Sequence, residues 1–171
     1  EPVLPEIDGA GVRRLAALVG RERRAAAAPD PLRRLAALLP VDPERAADVA
    51  ARLRLSKRAA RRLAAAAARE AEAFEPVEAL AYRLGPDEAA DRLLLGDGDP
   101  EAIRRLDDWK RPRLPVSGGD LIAMGLEAGP IVARTLQAIE REWVRSGFPS
   151  DREEVRALAR RQDDQALRAR P

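Results

Sequence analysis

An all-α fold is predicted for this 171-residue chain by its composition, its helix propensity and its punctuation. Hydrophobic residues make up 46% but aromatics only 3%, so Ala, Leu and Val must build the core, packing helices closely through small side chains. Alanine is the best helix former, and the β-branched residues that favour strands are scarce. With 11 Gly and 14 Pro, breakers are numerous enough to cut the chain into short pieces. The expected architecture is a multi-helix array of short antiparallel helices, with a larger body over 1–111 and a small C-terminal helical tail over 112–171. That length suffices to bury a real core.

Each element carries its own start and stop signals. Asp8 caps a first helix with Val12, Leu15, Leu18 and Val19 on one face, running to about Ala28. Asp30–Pro31 places an N-cap before a proline at the first helical position, opening a helix with Leu32, Leu35, Leu38 and Leu39 that stops before Pro40. Asp42–Pro43 repeats the device for a helix bearing Ala46, Val49, Ala50 and Leu53. Ser56 caps a long Ala-rich helix ending near Ala73.

Pro76 to Leu84 forms a short helix closed by Gly85, and Pro86 opens another closed at Gly96. Asp99–Pro100 starts a helix bearing Ile103 and Leu106 and reaching about Lys110. The run Arg111-Pro112-Arg113-Leu114-Pro115 cannot be helix, because each proline pushes its predecessor towards extended geometry, and it marks the internal boundary. In the tail, Ser117 and Asp120 have capping-box spacing before Leu121, Ile122 and Met124, with Gly125 as the stop. Gly129–Pro130 opens a helix with an apolar stripe of Val132, Leu136, Ile139 and Trp143, ended by Gly147. Ser150 with Glu153 forms a second box, starting a last helix through Val155, Leu158 and Gln162. The hexamer RRLAAL at Arg13–Leu18 and Arg33–Leu38, with RRLAAA at Arg61–Ala66, recurs at unequal offsets and so marks biased composition, not a solenoid.

The composition also excludes chemistry. Without Cys there are no disulfides and no Cys-ligated zinc. Without His the usual general base and the commonest metal ligand are missing. No apolar run approaches the roughly 20 residues of a membrane span. A cytoplasmic setting is expected, and Glu1, which is not a start methionine, suggests a cut inside a longer protein. The net charge of +2 is too small to define a polyanion site, so any such site must come from local clustering.

One cluster stands out. Arg52, Arg54, Lys57, Arg58, Arg61, Arg62 and Arg69 occupy a stretch free of acidic residues from Val49 to Arg69. Arg54, Arg58, Arg61 and Arg62 fall at helical spacing on one face, where like charges repel by a few tenths of a kcal/mol per pair. Two readings stand side by side: a surface that holds RNA phosphates, which guanidinium forks suit, or a solvated face neutralised by carboxylates of a neighbouring helix. A second candidate groups Arg104, Arg105, Trp109, Lys110, Arg111 and Arg113 as a stacking platform, against a partly buried Trp109 near a helix end. The helix N-termini at Ser117-Gly118-Gly119 and Gly129-Pro130 could accept a phosphate, with capping as the ordinary explanation. Asp97-Gly98-Asp99 has metal-site spacing, but Pro100 makes Asp99 a cap. The adjacent pairs Asp107–Asp108 and Asp163–Asp164 would diverge by about 100° on a helix. No catalytic constellation is expected within the chain.

Leu114-Pro115-Val116-Ser117-Gly118-Gly119-Asp120-Leu121, then Gly125, then Gly129-Pro130 with Leu136, resembles the tail of bacterial CCA-adding tRNA nucleotidyltransferases and their poly(A) polymerase relatives. Ser117, Gly118, Asp120, Gly125, Gly129 and Pro130 carry that resemblance, which is diffuse over Asp30–Leu39 and Arg52–Ser56. Where the family often has a further glycine, this chain has Ala133. The resemblance implies the body and tail of an enzyme that adds nucleotides to RNA 3′ ends. Its partners would be tRNA or other RNA and an N-terminal catalytic head, whose aspartates, Mg2+ and nucleoside triphosphates lie outside this chain. No cofactor is expected in the fragment itself. The alternative is a helical protein–protein module, docking through its Ala-rich faces or the Val132–Trp143 stripe.

Overall fold

The computed structural model describes residues 4–68, 76–96, 98–151, 153 and 155–157. Among these the regular secondary structure is helical: α1 (Gly9–Ala25), α2 (Pro31–Leu38), α3 (Pro43–Arg52), α4 (Lys57–Ala68), α5 (Val77–Leu84), α6 (Pro86–Leu95), α7 (Pro100–Arg104), α8 (Gly118–Ala123) and α9 (Pro130–Arg145). The chain divides into two compact units, Glu1–Trp109 and Lys110–Pro171. No helix among the described residues is long and apolar enough to cross a membrane.

The punctuation acts through hydrogen bonds. The Asp8 carboxylate accepts from the Gly11 N–H at 2.6 Å, Asp30 from Arg33 at 2.9 Å, and Asp42 from Glu44 and Arg45. Each satisfies donors that a helix start leaves orphaned, and proline fills the first position where an N–H would be wasted. Three ends differ from expectation. Helix α1 stops three residues early because Ala26 turns left-handed, with φ at 55°. Helix α7 gives way after Arg104 to turns closed by Leu106 N–H on Ile103 O and Trp109 N–H on Leu106 O, well short of Lys110. The last helix is capped by Asp151, not Ser150, since the Asp151 carboxylate accepts from Glu153 N–H at 2.9 Å. The expected continuation of α4 to Ala73 lies outside the described residues, as do Arg69, Asp97, Leu158, Gln162 and Asp163–Asp164.

In the first unit α4 is central, packing on α2, α3 and α6. One core cluster joins Ala36 and Leu39, Ala46, Val49 and Ala50 of α3, and Leu63, Ala66 and Ala67 of α4. A second joins Leu18 and Ala25 of α1, Ala37 of α2, Leu94 of α6 and Ile103 of α7. A third sets Val77, Leu80 and Ala81 of α5 on Ala89 and Leu106, with Trp109 packed against them. Alanine at these crossings lets the backbones approach. The extreme case is Gly11, where an added Cβ would lie 2.2 Å from the Leu38 carbonyl oxygen. Beside it, the Arg14 guanidinium donates to Ala37 O at 3.0 Å and Leu39 O at 2.8 Å, closing the C-terminal end of α2.

In the second unit the sequence motif resolves into turn chemistry. Ser117 Oγ accepts from Asp120 N–H at 3.3 Å, and the Asp120 carboxylate accepts from Ser117 N–H at 2.9 Å, a complete capping box. Gly118 sits where a Cβ would meet Val132 Cγ1 at 3.1 Å, so its smallness lets α8 approach α9. Gly125 takes φ of 105° to close α8, and Gly129, at 149°, leads into Pro130 at the start of α9. Ile139 and Trp143 are buried, and the Trp143 indole donates to Pro149 O at 2.8 Å with Phe148 edge-on at 5.0 Å. The Val132–Trp143 stripe is therefore core at Ile139 and Trp143 and half-buried at Val132 and Leu136.

Candidate nucleic-acid interface

The acid-free stretch Val49–Arg69 splits into three structural roles. Arg62 turns inward from α4. Its Nε meets Asp91 Oδ2 at 2.6 Å and its Nη2 meets Asp91 Oδ1 at 2.8 Å and Asp30 Oδ2 at 3.0 Å. Asp91 also receives Arg33 Nε at 2.8 Å. Arg33 reaches Glu22 Oε1 at 3.3 Å, and Arg34 reaches Glu22 Oε2 at 2.9 Å. Three guanidiniums and three carboxylates thus close a charge-balanced network tying α1, α2, α4 and α6. Arg33, Glu22 and Asp91 have side-chain exposures of 7%, 3% and 2%.

This network corrects the assignment of Arg62 to the RNA-binding set. The residue is spent inside the fold, and its side-chain hydrogen bonds to Asp91 hold its guanidinium well above the usual arginine range. For Asp30, burial would raise the carboxyl. The Arg33 N–H and the Arg62 charge more than offset that, leaving it below the usual aspartate value. No sequence period signals the network, since Glu22, Arg33 and Asp91 lie on three different helices; only the placement of charged residues within apolar faces hints at it.

Arg52 is exposed but already pairs with Glu6, whose carboxyl lies below its ordinary range. A backbone hydrogen bond is the main cause, and the Arg52 pair adds to it against the effect of burial. Arg54 is not on the α4 face. It sits in the turn between α3 and α4 with φ of 50°, because α3 ends at Arg52 and α4 starts at Lys57. Lys57, Arg58 and Arg61 lie along the exposed side of α4, opposite the buried Leu63, Ala66 and Ala67. Among the described residues Arg54, Lys57, Arg58 and Arg61 have no ion pair. Four of the six described cations of the stretch therefore have no carboxylate partner, Arg69 lying outside the described residues.

A cleft of about 280 Å³ borders this face, lined by Leu32, by Ser56, Arg58, Ala59 and the carboxylate-paired Arg62, and by Leu84 to Glu88. Asp87 and Glu88 make the Leu84–Glu88 part of the lining acidic, which disfavours phosphate there.

The second cluster does not assemble as a platform. Arg104 pairs with Glu101 and donates to Arg24 O at 2.6 Å, and Arg105 donates to Glu78 at 3.0 Å. Trp109 packs on the α5–α6 core. Arg111 is engaged, while Lys110 and Arg113 are exposed in the extended stretch that begins the second unit. No group of three or more carboxylates among the described residues could hold a metal ion, and Asp99 is the cap of α7, accepting from Glu101 N–H at 3.1 Å.

No family model matches the chain. Part of it is similar to the mitochondrial CCA tRNA nucleotidyltransferase 1 of Mus musculus and to that of Homo sapiens, at 29% identity over 63 residues in each case. The match covers 37% of this chain and 14% of either relative, so the chain spans a small part of their length. This similarity supports a relation to CCA-adding nucleotidyltransferases.

Proposed function

We propose that this chain is an RNA-gripping region of a tRNA nucleotidyltransferase, holding tRNA through the exposed cations of α4 while nucleotide addition occurs on a catalytic part outside it. The observation that carries the reading is the survival of Lys57, Arg58 and Arg61 without carboxylate partners, although the chain is nearly charge-balanced. In the same unit Arg33, Arg34 and Arg62 find acids in the network, Arg14 closes the end of α2 and Arg21 reaches Leu94 O at 2.6 Å, whereas the Arg13, Arg23 and Arg24 side chains of α1 have no carboxylate partner among the described residues either. What sets α4 apart is that Lys57, Arg58 and Arg61 are like charges at i, i+3 and i, i+4 spacing with no acidic residue among them, and their mutual repulsion is a cost that a bound polyanion would offset.

The partial similarity to CCA tRNA nucleotidyltransferases makes tRNA the RNA of choice. Lys110 and Arg113 would add contacts from the second unit. The Ser117–Pro130 motif shapes the tail and makes no RNA contact in this reading. Mg2+ and nucleoside triphosphates would belong to the catalytic part, for which no residue of this chain is assigned.

Filter binding of tRNA across a salt series tests the proposal. Each neutralised phosphate releases counterions, so the log–log slope should fall by roughly 0.9 for every phosphate that is no longer neutralised. Replacing Lys57, Arg58 and Arg61 together with Ala should weaken binding broadly and flatten the slope by roughly 2 to 3. Unchanged affinity and slope would overturn the assignment.

A further inference from the structure

We infer that Arg54 is an RNA contact held in a backbone conformation that lowers the stability of its own turn, an assignment that rests on the RNA-binding reading of α4. Arg54 N–H donates to Ala51 O at 3.0 Å and Leu55 N–H to Ala50 O at 2.9 Å, the two bonds of a Schellman ending for α3. That motif needs a left-handed residue at the position Arg54 fills, and φ there is 50°. Glycine is the ordinary occupant, because any Cβ crowds the following carbonyl.

A left-handed non-glycine is not by itself a functional mark. Ala26 holds the same place at the end of α1, with φ of 55° and the same bond pair to Arg23 O and Glu22 O. What separates Arg54 is its side chain. It is exposed, it has no ion pair among the described residues, and Lys57, Arg58 and Arg61 follow it. Arg52, the last residue of α3, is already neutralised by Glu6, so the charge left at this corner is that of Arg54. Leu55 packs against the first core cluster, which pins the turn from the inside. The guanidinium thus projects from a rigid point, and less freedom is lost when it meets a phosphate. Glycine would relax the turn but leave nothing to reach that phosphate.

The test measures thermal unfolding and salt-dependent tRNA binding on the full chain for Arg54→Gly, Arg54→Lys, Ala26→Gly and the triple alanine variant of Lys57, Arg58 and Arg61. Arg54→Gly should raise Tm by about 2–4 °C, weaken tRNA several-fold, and reduce the salt slope by about 1. Ala26→Gly should raise Tm with RNA binding untouched, and Arg54→Lys should keep the slope. An Arg54→Gly variant that binds tRNA with the original affinity and slope overturns the assignment of Arg54, and so does one with a lowered Tm. If the triple variant weakens binding while Arg54→Gly does not, Arg54 alone is wrongly assigned. If neither variant changes binding, the reading of α4 fails and this inference falls with it.

Discussion

Replacing Asp91 with Ala removes the acceptor on which two helices converge. Its carboxylate takes three charge-assisted hydrogen bonds, one from Arg33 at 2.8 Å and two from Arg62 at 2.6 and 2.8 Å, at 2% side-chain exposure. Breaking a buried pair by deleting one partner costs about 3–5 kcal/mol, because the surviving charge stays desolvated. Here neither guanidinium is left wholly alone: Arg33 keeps Glu22 at 3.3 Å and Ala28 O at 3.2 Å, and Arg62 keeps Asp30 at 3.0 Å. The lower end, about 3 kcal/mol, is therefore expected. For a unit of this size that corresponds to a fall in Tm on the order of 10 °C. Urea unfolding followed by far-ultraviolet circular dichroism measures it directly. The control is Glu78→Ala, which breaks the exposed pair with Arg105 and should cost under about 1 kcal/mol. If Asp91→Ala cost no more than that control, the network would be peripheral and the withdrawal of Arg62 from the RNA-binding set would lose its basis.

Two further outcomes follow from the packing and the charges. Gly11→Ala should destabilise the first unit by about 1–3 kcal/mol, since its Cβ would stand 2.2 Å from Leu38 O, whereas Gly9→Ala, with nothing closer than 3.7 Å, should be neutral or slightly stabilising; equal melting curves for the two would contradict the close approach of α1 and α2. Asp30 has a folded pKa below its ordinary 3.8, so its contribution is fully present above about pH 4 and is lost as pH falls through the lower folded value. Urea midpoints measured from pH 5 down to pH 2 should fall less steeply in Asp30→Ala than in the parent, and parallel acid limbs would show that Asp30 is not linked to folding.

Much of the fold was legible because its signals are local. An aspartate before a proline caps a helix whatever surrounds it, which is why α2, α3 and α7 begin where the sequence places them. The tail motif is legible for the same reason: Ser117, Asp120 and Gly125 satisfy backbone groups only a few residues away. The ends of α1 and α7 escaped prediction because Ala26 carries no stop signal and the chain after Arg104 tightens into turns that composition does not mark. In the candidate site, spacing located a cationic stretch but could not say which charges would be consumed. Arg58 and Arg62 are one helical turn apart and chemically identical, yet one faces solvent and the other meets Asp91 from α6.

The amino-acid sequence by itself determined the all-helical class, every side-chain N-cap but that of the last helix, and the absence of His and Cys chemistry, because propensity, capping and composition act within a few residues or not at all. Tertiary structure alone decided which arginines are structural and which remain open. Pairing depends on residues such as Arg62 and Asp91, 29 positions apart, and only the packing of α4 on α6 brings them within hydrogen-bond reach.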